Sequence, residues 1–151
     1  MIRYVQGDLL AADVDGLVNA VNCVGVMGKG LALQFKKAYP DNFKQYALAC
    51  KAGEVKPGTM FIVSTNRTDN PKFIINFPTK RHWKDSSKID DIKSGLVALV
   101  SDTKKLKITS LAVPPLGCGL GGLNWSDVKP LIEEAFSPLP EVDVLLFEPK
   151  P

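Results

Sequence analysis

Apolar residues come in short runs separated by polar, glycine-rich stretches, and strand and helix periods alternate along the chain. Met1-Ile2-Arg3-Tyr4-Val5 reads as a strand that begins at once, and Leu17 to Asn22 as a buried strand. Leu31 to Ala38 continues at helical spacing out of a glycine loop until Tyr39-Pro40-Asp41 breaks it. Asp41 is placed to cap a second helix through about Ala52, with Gly53 as its stop. Thr59 to Thr65 and Phe73 to Phe77 are strand-like, and the Asp69-Asn70-Pro71 turn between them predicts a hairpin. Ser87 is a predicted N-cap for a helix whose apolar face is Ile89, Ile92, Leu96, Leu99 and Val100. Ile108 to Val113 is the next strand. Ser126 is the expected cap of a helix that turns Leu131, Ile132, Ala135 and Phe136 inward, with Pro130 in its first turns. Val142 to Phe147 is the last strand. About six strands alternating with about four helices predict an α/β fold, a mixed sheet with helices on both faces.

Composition narrows this little. The 151 residues suffice for one domain, expected over 1–151, and 45% apolar with 23% charged residues is the balance of a soluble globular chain. No apolar run is long enough for a membrane span, and the N-terminus does not read as a signal peptide. Cys23, Cys50 and Cys118 are odd in number and lack Cys-x-x-Cys spacing, so neither a disulfide framework nor a metal site is expected, and the expected compartment is a reducing cytoplasm. A net charge of +3 permits an anionic partner without demanding one.

The candidate chemistry lies in two glycine loops, Gly25-Val26-Met27-Gly28-Lys29-Gly30 and Gly117-Cys118-Gly119-Leu120-Gly121-Gly122. Each follows a strand-like run and leads into a helical segment, so backbone amides and a helix N-terminus would face a ligand together. Two such loops on one sheet make a cradle for a diphosphate. The first is not a P-loop: the positions that need Gly before the Lys and Ser or Thr after it hold Cys23 and Gly30. Gly117-x-Gly119-x-x-Gly122 matches the dinucleotide fingerprint, but it follows the penultimate strand, not the first.

Taken in order, Gly7-Asp8-Leu9-Leu10, Leu17-Val18-Asn19-Ala20-Val21-Asn22, the Gly25–Gly30 loop and Pro114-Pro115-Leu116-Gly117-Cys118-Gly119 resemble a macrodomain over essentially the whole chain. Val24 to Phe35, Asn76-Phe77-Pro78-Thr79-Lys80 and Gly117-Cys118-Gly119-Leu120 resemble the branch holding terminal ADP-ribose protein glycohydrolase. They are more similar still to the DarG-type DNA ADP-ribosyl glycohydrolases, antitoxins to DarT toxins. The resemblance implies a three-layer sandwich that binds ADP-ribose. It puts Asp8, with Leu9 beside it, on the adenine amino group. It puts Asn22 and the backbone of Gly25, Val26, Met27, Gly28, Lys29 and Gly30 on the distal ribose and its phosphate. Gly117, Cys118, Gly119, Leu120 and Gly121 would wrap the diphosphate, and Phe147 is either an adenine contact or core.

It also assigns catalysis to Lys80. In the protein glycohydrolase a Lys in this motif attacks the anomeric carbon of the distal ribose, which requires an unprotonated amine. Arg81, Lys84 and Lys29 are the cations that would favour one here. The acid that follows Gly-Cys-Gly-Leu in that relative is replaced by Gly121, so Lys80 acts either as a nucleophile or electrostatically. Arg81, His82, Trp83 and Lys84 mix cations with an aromatic ring and suit single-stranded DNA at the pocket mouth; the alternative is an exposed basic loop. His82 is the only histidine, and no Cys-His dyad is indicated.

The expected activity is removal of ADP-ribose from DNA bases, thymidine adducts first. The alternatives are a reader that binds ADP-ribose without cleaving it and a hydrolase of ADP-ribose on protein carboxylates. No cofactor is implied, and a monomer is expected. A DarT-type toxin is the implied protein partner, engaged through a region for which Lys150-Pro151 leaves no room.

Overall fold

The computed structural model describes residues 1–150. Its six strands are β1 (Ile2–Val5), β2 (Gly16–Val21), β3 (Phe61–Ser64), β4 (Phe73–Pro78), β5 (Ser110–Val113) and β6 (Asp143–Phe147). They form one sheet in the order β1-β6-β5-β2-β4-β3. Every neighbouring pair is parallel except β3–β4, the hairpin read from the Asn70-Pro71 turn. The four helices are α1 (Gly30–Ala38), α2 (Pro40–Lys51), α3 (Ile89–Lys105) and α4 (Trp125–Phe136).

The central strands carry apolar side chains on both faces, as strands sandwiched between helices must. Val18, Ile75, Phe77, Leu111, Val113, Val144 and Leu146 pack on one face against Ile92, Leu96 and Leu99 of α3 and Val128, Ile132 and Phe136 of α4. The other face is covered by Phe35 of α1, against Leu17 and Ile74, and by Tyr46 and Ala49 of α2, against Val21 and Met27. The architecture is therefore the predicted three-layer mixed sandwich. A side chain on Gly95 would overlap the Phe77 ring, which is how α3 comes to lie so close to β4.

The helix starts depart from the sequence reading. Asp41 sits in the first turn of α2, behind Pro40 and the N-cap Tyr39; Pro is suited to that first position because its missing N–H has no partner to lose. Lys88, not Ser87, is the N-cap of α3, and Asn124, not Ser126, that of α4. None of the three makes a side-chain capping bond. The preceding loops are fixed by other contacts, so the cap is whichever residue they deliver. Asp8 does cap, accepting from Leu10 N at 3.1 Å over the 3₁₀ turn Leu9–Ala11.

Candidate functional site

Five parallel strands end on one rim of the sheet, and the segments leaving them hold the sequence-predicted residues. Asp8 follows β1, Asn22 follows β2, Lys80 follows β4, the Gly117–Gly122 loop follows β5, and Phe147 ends β6. Open α/β sheets gather ligands at this rim.

The first glycine loop is held by side chains. Asn22 is buried; its Nδ2 donates to Val26 O at 2.7 Å, and its Oδ1 accepts from Val24 N at 3.1 Å and Val26 N at 3.3 Å. From below, the fully buried Tyr46 hydroxyl reaches Asn22 O at 2.7 Å and Asn22 Oδ1 at 2.8 Å. The Asn22 carboxamide is thus engaged in shaping the loop. Met27 turns inward and is 1% exposed, so only its main chain can serve the cleft. Gly28, Lys29 and Gly30 are exposed, and Gly30 opens α1.

The second loop is shaped by its glycines. Gly117, Gly119 and Gly122 have φ of 74°, 68° and 81°, the left-handed region where a Cβ is costly. Leu123 N closes the loop on Gly117 O at 3.0 Å. A Cβ on Gly30 would stand 3.9 Å from Leu120 Cδ1, so the two loops approach each other at that point.

The Lys80 segment is stitched to the first loop. Thr79 N and Lys80 N donate to Val21 O at 2.8 and 3.3 Å, Cys23 N to Arg81 O at 3.3 Å, and Cys23 Sγ to Lys80 O at 3.4 Å. Burial pushes the Cys23 thiol up to about 11, with Cys50 nearby adding to the rise, so it remains a neutral donor at pH 7. Lys80 is half-buried, its Nζ 3.5 Å from Trp83 O.

Three of the sequence-predicted residues have defined partners. Arg81 is not a free cation beside Lys80: it makes two contacts, 3.2 and 3.3 Å, with the buried carboxylate of Asp91 on α3, which raises its pKa further. Phe147 is core, 9% exposed and packed with Leu9, Leu17 and Phe35; Leu9 is buried with it, leaving Asp8 as the exposed acid of that corner. His82 Nδ1 accepts from Lys84 N at 3.1 Å and so holds the turn that presents Trp83. Trp83 itself is half exposed, its ring 5.3 Å from His82 and 5.1 Å from Lys84 Nζ. This aromatic, cationic tip is the surface that the sequence reading placed at the pocket mouth.

Sequence reasoning missed Tyr46, Asp91 and a buried asparagine set beneath the first loop. Asn76 Nδ2 donates to Asn42 Oδ1 at 2.8 Å and Phe61 O at 3.0 Å, and Asn19 Nδ2 approaches Asn76 Oδ1 at 3.4 Å and Met27 Sδ at 3.8 Å. Asn19 and Asn76 interrupt otherwise apolar strands, the one signal that marked them in advance. Among the described residues no three His, Cys, Asp or Glu side chains are grouped to hold a metal ion, and no helix is long and apolar enough to cross a membrane.

The Macro domain family model matches residues 18–132. The DNA ADP-ribosyl glycohydrolase of Mycobacterium tuberculosis is 56% identical over 99% of this chain and 42% of its own length. The chain thus spans less than half the length of this relative. The solved macrodomain of Mycobacterium tuberculosis DarG superposes with a TM-score of 0.98 at 55% identity, covering 99% of both chains. Thermosipho africanus DarTG in complex with ADP-ribose superposes with a TM-score of 0.91 at 38% identity, over 99% of this chain and 43% of that one. The chain belongs to the macro domain family.

Proposed function

We propose that this chain binds ADP-ribose in the cleft between its two glycine loops and removes it from DNA bases, thymidine adducts in single-stranded DNA before others. On this reading it works as the antitoxin domain against a DarT-type toxin in the cytoplasm. The observation that carries the proposal is the placement of Lys80. It is the basic side chain at the end of a central strand, its main chain bonded to Val21 and Cys23 at the foot of the first loop. The names of the relatives, DNA ADP-ribosyl glycohydrolase and DarG macrodomain, support the same chemistry.

In the nucleophilic version the Nζ lone pair bonds to the anomeric carbon of the distal ribose. The bond from that carbon to the base breaks, and the base leaves with the electron pair and gains a proton. The ribose ring opens to a Schiff base on Lys80, and water hydrolyses it to free ADP-ribose and the amine. In the electrostatic version protonated Lys80 stabilises the departing base while water attacks. Both versions leave the backbone of the first glycine loop, shaped by Asn22, and the second glycine loop to hold the ribose and diphosphate, and Trp83 with Lys84 to receive the DNA.

Lys80→Ala is expected to abolish ADP-ribose release from modified single-stranded DNA and to leave affinity for free ADP-ribose within about threefold, since uniform binding lies elsewhere. Borohydride added during turnover by the unsubstituted protein separates the versions: an ADP-ribose adduct on Lys80 selects the nucleophile, and none selects electrostatics. Full activity in Lys80→Ala sinks both. Binding with no turnover by the unsubstituted protein makes the chain a reader.

A further inference from the structure

We infer that Ser87 is a positioning residue for the diphosphate loop and the reason position 121 carries no side chain. The inference rests on reading the cleft as an ADP-ribose site. Of the four glycines from Gly117 to Gly122, Gly121 alone is outside the left-handed region, so its backbone would accept any residue. Space forbids one. A Cβ built on Gly121 overlaps the Ser87 hydroxyl and lies 3.1 Å from Ser87 Cβ. The same serine backs Gly117, where a Cβ would stand 3.3 Å from Ser87 Cβ.

Ser87 is not merely adjacent. Its N–H donates to Gly121 O at 2.9 Å, which turns that carbonyl toward the protein and away from the anionic ligand expected on the loop. Ser87 is 7% exposed, and its Oγ finds no hydrogen-bond partner among the described residues, so its place against the loop is set by packing and by the main-chain bond. The contact also ties two functional segments together. The stretch from Lys80 to Ser87 is bonded at its start to the first glycine loop, through Cys23, and at its end to the second, through Gly121. Ser87 thus fixes the distance between the diphosphate loop and the segment bearing Lys80, and a side chain at 121 would push the two apart.

The test is a double-substitution cycle of Gly121→Ala and Ser87→Gly, read by calorimetric ADP-ribose affinity, by KM and kcat on ADP-ribosylated single-stranded DNA, and by Tm. Gly121→Ala is expected to weaken ADP-ribose by about tenfold and to raise KM in step, because overpacking displaces the loop. Ser87→Gly keeps the main-chain bond to Gly121 but loses the packing behind the loop and should weaken affinity by about threefold, and the double variant should bind about as tightly as Ser87→Gly and more tightly than Gly121→Ala. Gly121→Ala with undiminished affinity, or a double variant no better than Gly121→Ala, overturns the inference and leaves the functional reading standing. A fall in Tm without any change in affinity or KM also overturns it, since packing alone would then be at stake. No ADP-ribose binding by the unsubstituted protein overturns the functional reading and, with it, any positioning role for Ser87.

Discussion

The two glycine loops meet at one rim of the sheet but are built in different ways. The first is a polar scaffold: Asn22 ties Val24 and Val26, Tyr46 supports Asn22 from α2, and Met27 plugs the core beneath. The second is shaped by bare backbone, with three glycines in the left-handed region and a fourth pressed against Ser87. Gly25 and Gly30 of the first loop are also left-handed, with φ of 83° and 57°, so both loops resist added atoms and only the first also fails when side-chain atoms are removed.

Gly117→Ala should break the second loop most severely. Its φ is 74°, and the new methyl would stand 2.7 Å from Leu123 Cδ1 and 3.1 Å from Ile92 Cδ1. Backbone strain and overpacking together should cost about 3 kcal/mol in a urea titration and take ADP-ribose binding with them. Asn22→Ala is the matching cut in the first loop. It leaves the buried Tyr46 hydroxyl without its side-chain partner and two amides unpaired, for a loss of about 2 kcal/mol in the same titration and weaker ADP-ribose binding by calorimetry. Tyr46→Phe removes only the hydroxyl, about 1 kcal/mol, and should be less than additive with Asn22→Ala because both remove the bond between the Tyr46 hydroxyl and Asn22 Oδ1. Equal tolerance of truncation in both loops would erase the contrast.

The smallest effect concerns pH. The folded Cys23 thiol is raised from 9.0 to about 11, so the neutral thiol contributes fully below 9.0 and its contribution is lost as pH climbs through about 11. Replacing Cys23 by Ala should therefore flatten the decline of Tm over that alkaline window and leave Tm at pH 7 to 8 with the same slope.

Most of the architecture was legible because strand and helix periods are long-range averages: six strands, four helices and the hairpin stand where the pattern put them. Helix caps were displaced by one or two residues, since a cap depends on the path of the loop before it, and Ser87 is occupied with Gly121. The rim location of Asp8, Asn22, Lys80 and the Gly117 loop was readable from their positions after strands. What each side chain does there was not. Nothing in the spacing distinguishes Arg81 facing Asp91 from Arg81 facing solvent, or Phe147 in the core from Phe147 on a ligand, because both outcomes depend on partners far away in sequence. Tyr46 sits at core spacing on α2, and its hydroxyl leaves no periodic trace.

The strand order has a kinetic consequence. β6 inserts between β1 and β5, so Ile2 pairs with Val144 and the Met1 ammonium donates to Val142 O. Such pairings of distant segments close late, because the chain entropy they cost is large. Until β6 is in place, β1 has no neighbour in the sheet, and Asp8, which follows it, is not yet on the rim with Asn22 and Lys80. The corner that holds Asp8 is therefore joined to the rest of the rim through β6 alone, and it parts from Asn22 and Lys80 when the sheet frays at that edge.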